Sequence, residues 1–121
     1  MRDPLTEQII GAAIEVHRTL GSGLPTAVYC EALCVELALR EIAYERYAEV
    51  DIHYKGHVIK GQRLDLLVEG QVVVELKSVA RLDDDAFVPV LSCLKATTLR
   101  RALLINFGLP RLVDGIKRIS L

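Results

Sequence analysis

The sequence predicts an α/β (α+β) fold of three layers, a mixed central sheet flanked by helices, and three observations point to it. Helical periodicity runs from Asp3 to about Arg40. Short runs rich in Val, Ile, Leu and Tyr follow from Tyr44, punctuated by glycines. A further helical stretch then precedes a last pair of strands, so one helix must cross over the sheet. The element order reads ααβββ(β)αββ.

Asp3-Pro4 supplies a cap and a first-turn proline, and Ile9, Ile10, Ala13, Ile14, Val16, His17 and Leu20 then recur at helical spacing. Gly21-Ser22-Gly23 breaks this helix near Leu20. Pro25 opens a second, in which Val28, Ala32, Val35 and Leu39, with Tyr29, Leu33 and Leu37 beside them, keep the 3.6 period to about Arg40. Lys55-Gly56, Lys60-Gly61 and Glu69-Gly70 divide the next stretch into a meander of three or four strands. Asp83, Asp84 and Asp85 offer N-cap oxygens to a helix through Thr98, whose Pro89 must fall in the first turn. Ala102 to Phe107 reads as a buried strand and Ile116 to Leu121 as an edge strand.

The 121 residues, 51% of them hydrophobic, are enough for one core, and no repeat or linker divides residues 1–121 into more than one domain. With 15 Lys+Arg against 16 Asp+Glu there is no whole-molecule field to attract a polyanion. Any nucleic-acid contact must be local. No apolar run approaches the roughly 20 residues that span a bilayer, and the start MRDPLTEQ lacks the pattern of a secretory leader, so the expected location is cytoplasmic, with no membrane partner. Cys30 and Cys34 lie one helical turn apart without a second pair at zinc spacing, which makes them core residues. Four tyrosines and no tryptophan leave little aromatic surface for stacking bases.

The stretch Gln62 to Ser78 carries the chemistry. It places Asp65 on one strand and Glu75-Leu76-Lys77 on the next, in otherwise apolar surroundings. Strand side chains alternate, so Arg63, Asp65 and Leu67 share a face while Leu64, Leu66 and Val68 share the other. Likewise Val73, Glu75 and Lys77 oppose Val72, Val74 and Leu76. A two-residue Glu69-Gly70 turn would mix the charged set of one strand with the apolar set of its neighbour. A three-residue loop of Val68, Glu69 and Gly70 pairs Leu67 with Gln71 and brings Asp65, Glu75 and Lys77 to one face; this register, or one of the same parity, is expected. Asp65 and Glu75, with the Leu76 carbonyl as a third oxygen, then suit a hard divalent cation, Mg²⁺ with Mn²⁺ as a substitute. Such an ion polarises a phosphodiester and activates water, while Lys77 neutralises developing charge. The same pattern also describes a solvated, cross-paired strand face.

Six segments, IIGAAIEVHRTLGSGL (9–24), VYCEAL (28–33), YKGHVIKGQRLDLLVEG (54–70), VVVELKSV (72–79), LKAT (94–97) and LLINFG (103–108), resemble the GxxExxY family, placed among the PD-(D/E)XK nuclease-like folds. The resemblance implies a restriction-endonuclease-like core in which Asp65 and Glu75 bind Mg²⁺ and Lys77 assists hydrolysis of phosphodiester bonds in DNA or another polynucleotide. In the eponymous motif Thr26 stands where the family has its glutamate, and Pro89 and Cys93 stand where related proteins carry glutamine and tyrosine. A threonine supplies no negative charge, so weakened activity is expected. Thr26, Glu15, His17 and Arg63 are the accessory candidates; His17 in this pattern is more often hydrogen-bonded to backbone. The alternative is a catalytically inactive module that binds a partner or a second copy, and so small a domain can hide an exposed face as a homodimer.

Overall fold

The computed structural model describes residues 3–121, so Met1 and Arg2 of the start from which a cytoplasmic location is expected lie outside the described residues. Helix α1 (Pro4–Leu20) begins where the Asp3 carboxylate accepts from the Thr6 N–H at 2.9 Å, with Pro4 in the first turn. It buries Thr6, Ile9, Ile10, Ala12, Ala13 and Val16, while Ile14 and Leu20 of the expected stripe are exposed. Helix α2 (Thr26–Leu39) buries Tyr29, Cys30, Leu33, Cys34 and Leu37. The stripe Val28–Val35–Leu39 faces outward, because both sides of this helix are apolar and periodicity does not choose between them.

Five strands, not three or four, separate α2 from the crossover helix: β1 (Tyr44–Arg46), β2 (Glu49–Tyr54), β3 (His57–Arg63), β4 (Leu66–Val68) and β5 (Val72–Lys77). They do not form one meander. β2 and β3 make their own two-stranded sheet, while β1 pairs with β4. Lys60-Gly61 is a bulge inside β3 and not a turn, with Gly61 at φ 96 and the register shifting between Val50 and Ile52. Breaks at Tyr47-Ala48 and Leu64-Asp65 let the hairpin leave the sheet and return, sealed by Tyr47 N–H to Asp65 O and Leu64 N–H to Ala48 O, both 2.9 Å.

A 3₁₀ turn (Asp84–Phe87) leads into α3 (Val88–Ala96), then β6 (Arg101–Asn106) and β7 (Ile116–Ser120). Pro89 lies in the first turn as expected, but Asp83 makes no side-chain cap and the helix stops at Ala96, two residues before Thr98. The main sheet runs β1-β4-β5-β6-β7, with only β5 and β6 parallel and α3 as their crossover. Val72, Val74, Leu76, Leu103 and Ile105 face α1 and α2, whereas Val73 and Ala102 face Val90 and Leu94 of α3. The architecture is thus the expected mixed sheet between helical layers, with the β2–β3 hairpin rooted on the α3 side through Val50.

Candidate active site

The β4–β5 turn sets the register. Glu69 and Gly70 adopt φ 54 and 63, and the Gln71 N–H closes the turn on the Val68 carbonyl at 2.9 Å. The loop is therefore Glu69-Gly70-Gln71, with Leu67 opposite Val73 and Val68 opposite Val72, in place of the expected Leu67–Gln71 pair. The parity is unchanged for the paired residues, so Leu67 shares a face with Val73, and Leu66 and Val68 share the other with Val74 and Val72. The Glu69 carboxylate holds this turn by accepting from the Ala43 N–H at 2.8 Å.

Asp65 lies on the bend before β4, not within a strand, and Leu64 crosses to the α3-side cluster, away from Leu66 and Val68. Freed from the ladder, the Asp65 carboxylate turns to β5 and accepts from the Leu76 N–H at 2.8 Å. Glu75 reciprocates, accepting from the Asp65 N–H at 3.2 Å. In a strand the N–H and C=O of one residue point to the same side, so the Leu76 carbonyl is turned the same way as the N–H that Asp65 meets. Burial first, and then the neighbouring Asp65 carboxylate, push the Glu75 carboxyl up to about 7.

A cavity of about 440 Å³ opens beside this pair on the α3 side. Glu75, Lys77 and Arg63 are in its wall, with Gln62 and Ile52 of the hairpin opposite Pro89 and Cys93 of α3. Asp65 is not part of that wall and reaches the site through Glu75 and the Leu76 N–H. Burial, then Glu75, raise the Cys93 thiol. Pro89 and Cys93 thus stand where α3 presents side chains to the cavity.

Residues 3–119 of the chain match the family model of the PD-(D/E)XK nuclease superfamily. The chain belongs to this superfamily. No curated protein and no solved structure matches it significantly. Glu75-Leu76-Lys77 has the form (D/E)XK for which the superfamily is named.

The accessory residues named from the sequence are dispersed. Arg63 is in the cavity wall, with its guanidinium also 4.9 Å from the Tyr47 ring centroid. Thr26, at the start of α2, is outside that wall, although Ser78, next to Lys77, donates to the Leu24 carbonyl at 2.6 Å and so ties the loop before Thr26 to the end of β5. Glu15 is held by Arg18 and Thr19. His17 Nε2 donates to the Leu109 carbonyl at 2.9 Å, the backbone-bonded role. Glycine and tyrosine of the Gly23–Tyr29 motif serve the loop itself: Gly23 has φ 101, and Tyr29 donates to the Gly21 carbonyl at 2.5 Å while stacking on Phe107 at 4.5 Å.

Sequence reasoning passed over Asn106. It is fully buried opposite Lys77, and its side chain accepts from the Val79 and Gly108 N–H groups and donates to the Val79 carbonyl, each at 3.0 Å. The signal was present, since an asparagine inside the apolar run ALLINF needs partners.

The residues fit a hard divalent cation. One oxygen of each carboxylate is held by a backbone N–H, and their remaining oxygens have no N–H donor among the described residues. Two acids that close repel each other unless a proton or a cation joins them. No cluster of three or more His, Cys, Asp or Glu suited to a metal occurs among the described residues, so backbone and water would complete the shell.

Proposed function

We propose that this protein is a Mg²⁺-dependent nuclease of the GxxExxY type, acting as a single domain that hydrolyses phosphodiester bonds in DNA or another polynucleotide. The reciprocal bonding of Asp65 and Glu75 supports it: each carboxylate accepts from the backbone of the strand that carries or adjoins the other. Asp65, Glu75 and the Leu76 carbonyl would hold the ion, with Mn²⁺ as a substitute. When bound, it supplies a positive charge that polarises the scissile phosphate. Lys77 stabilises the charge that develops on the phosphoryl oxygens, and Arg63 across the cavity orients the substrate phosphate. Leu64, Val73 and Val90 line the floor and limit water around these charges.

Metal-dependent cleavage of labelled oligonucleotides tests this directly. Mg²⁺ or Mn²⁺ should support cleavage that EDTA stops, and Glu75→Gln or Lys77→Ala should reduce it about 100- to 1,000-fold. Cleavage indifferent to both substitutions would remove the assignment.

A second reading, a module that has lost catalysis, draws on Thr26, Pro89 and Cys93, which stand where the resembled family has glutamate, glutamine and tyrosine, with Pro89 and Cys93 in the cavity wall. Calorimetry separates the two readings, since Mn²⁺ binding that Asp65→Asn abolishes, together with turnover, leaves no place for the second. No helix among the described residues is long and apolar enough to cross a membrane. Three free cysteines suit a reducing compartment, and the cytoplasm remains our proposed location. We also propose a homodimer, built on the outer stripe of α2.

A further inference from the structure

Hairpin β2–β3 stands apart from the main sheet as a two-stranded sheet of its own, and every residue of β3 is exposed. An isolated hairpin is marginal in water, so a long one that keeps apolar side chains in solvent calls for an occupant. Its pairing sorts the side chains. Ile52 lies opposite Ile59 and Tyr54 opposite His57, so these four share one face. Glu49 and Asp51 alternate to the other face, where Asp51 accepts from Lys60 at 3.4 Å. The first face therefore has no carboxylate on its β2–β3 pairs from Ile52 to His57.

That face is also continuous with the cavity. Ile52 is in the cavity wall, and two residues further along the strand Tyr54 is 57% exposed, with Ile59 at 47% beside it. The Lys55 ammonium lies over one face of the Tyr54 ring, 5.5 Å from its centroid, so the ring presents its other face and its edge to a ligand with a cation beside them. An aromatic ring, an apolar neighbour and a cation, without acids, are what an unpaired nucleotide strand recognises: bases stack on the ring while phosphates meet the cation. A duplex keeps its bases stacked inside and has no use for an isolated exposed ring.

We propose that this face of the β2–β3 hairpin binds the bases of a single-stranded polynucleotide as the strand leaves the cavity, making unpaired strands the substrate class. The inference rests on the nuclease reading above and refines it. Tyr54 is the specificity-determining residue, with Ile59 extending the platform and Lys55 meeting backbone phosphate.

Fluorescence anisotropy in EDTA tests it without requiring turnover, using a labelled 20-mer and its duplex with wild-type protein, Tyr54→Ala and Tyr54→Phe. The single strand should bind more tightly than the duplex. Tyr54→Ala should weaken single-strand binding about 5- to 150-fold, the range of one base–aromatic stack, while Tyr54→Phe restores it and the melting temperature stays the same. Equal or tighter duplex binding, or indifference to Tyr54→Ala, overturns the proposal. So does a change of oligomeric mass in Tyr54→Ala with oligonucleotide binding intact, which would give the face to a second copy. Absence of cleavage in Mg²⁺ with this binding pattern intact would sink the nuclease reading alone; cleavage present with binding blind to Tyr54 would sink only the hairpin's role.

Discussion

Glu75 is the residue on which burial and charge conflict most openly. Its carboxyl is pushed up to about 7, by burial and then by Asp65, so the native state holds its proton more tightly than the unfolded chain, whose value is near 4.5. The stabilisation this gives is complete below about pH 4.5 and lost as pH rises through 7. Metal-free protein in EDTA should therefore melt at progressively lower temperature between about pH 5 and 7.5, and Glu75→Gln should flatten that slope. A melting temperature that climbs over the same interval in EDTA would contradict the arrangement. That Glu75 and Lys77 share a face of β5, both in the cavity wall, is legible in the sequence, because alternation is a local rule. The sequence does not show that Asp65 leaves the ladder to accept from the Leu76 N–H, since that depends on where the hairpin breaks out of the sheet.

At the scale of the element, the two ends of β5 and β6 that carry Lys77 and Asn106 are fixed by one side chain. Asn106 bonds both backbone groups of Val79 and the Gly108 N–H, and a Cβ at Gly108 would come within 2.2 Å of the Val79 carbonyl oxygen. The chain after Lys77 is thereby pressed against the end of β6. Asn106→Ala leaves buried donors and an acceptor unpaired, at a cost of about 2–4 kcal/mol. Its melting temperature should fall by roughly 5–15 °C for a chain of this size, and cleavage should fall further than in an equally destabilised core variant such as Leu33→Ala, which is on the opposite layer. Equal losses in the two would confine Asn106 to stability. The strands themselves were readable from short β-rich runs, but the count was not: Tyr47 at φ 56 and the Leu64-Asp65 bend are single-residue events with no glycine to announce them.

For the molecule as a whole, α2 poses the question of what covers its second apolar side. Tyr29, Leu33 and Leu37 pack into the core, yet Val28, Val35 and Leu39 remain 41%, 54% and 74% exposed, at spacings of seven and four that form a seam along the helix. Helices apolar all round are buried in the functional state. The flanking charges are already paired within the chain, Glu36 with Arg40 at 2.7 Å and Glu31 with Arg46 at 2.5 Å, so a second copy approaching the seam meets little uncompensated charge. Two α2 helices packed about a two-fold axis would bury both stripes at once, which a heterologous contact would not do. Light scattering should give twice the chain mass at high concentration, and Val35→Glu or Leu39→Glu should return the monomer while leaving its melting temperature within a few degrees, because neither side chain touches the core. A wild-type protein that stays monomeric at its solubility limit, or a dimer untouched by both charges, would show that the seam is merely tolerated in water.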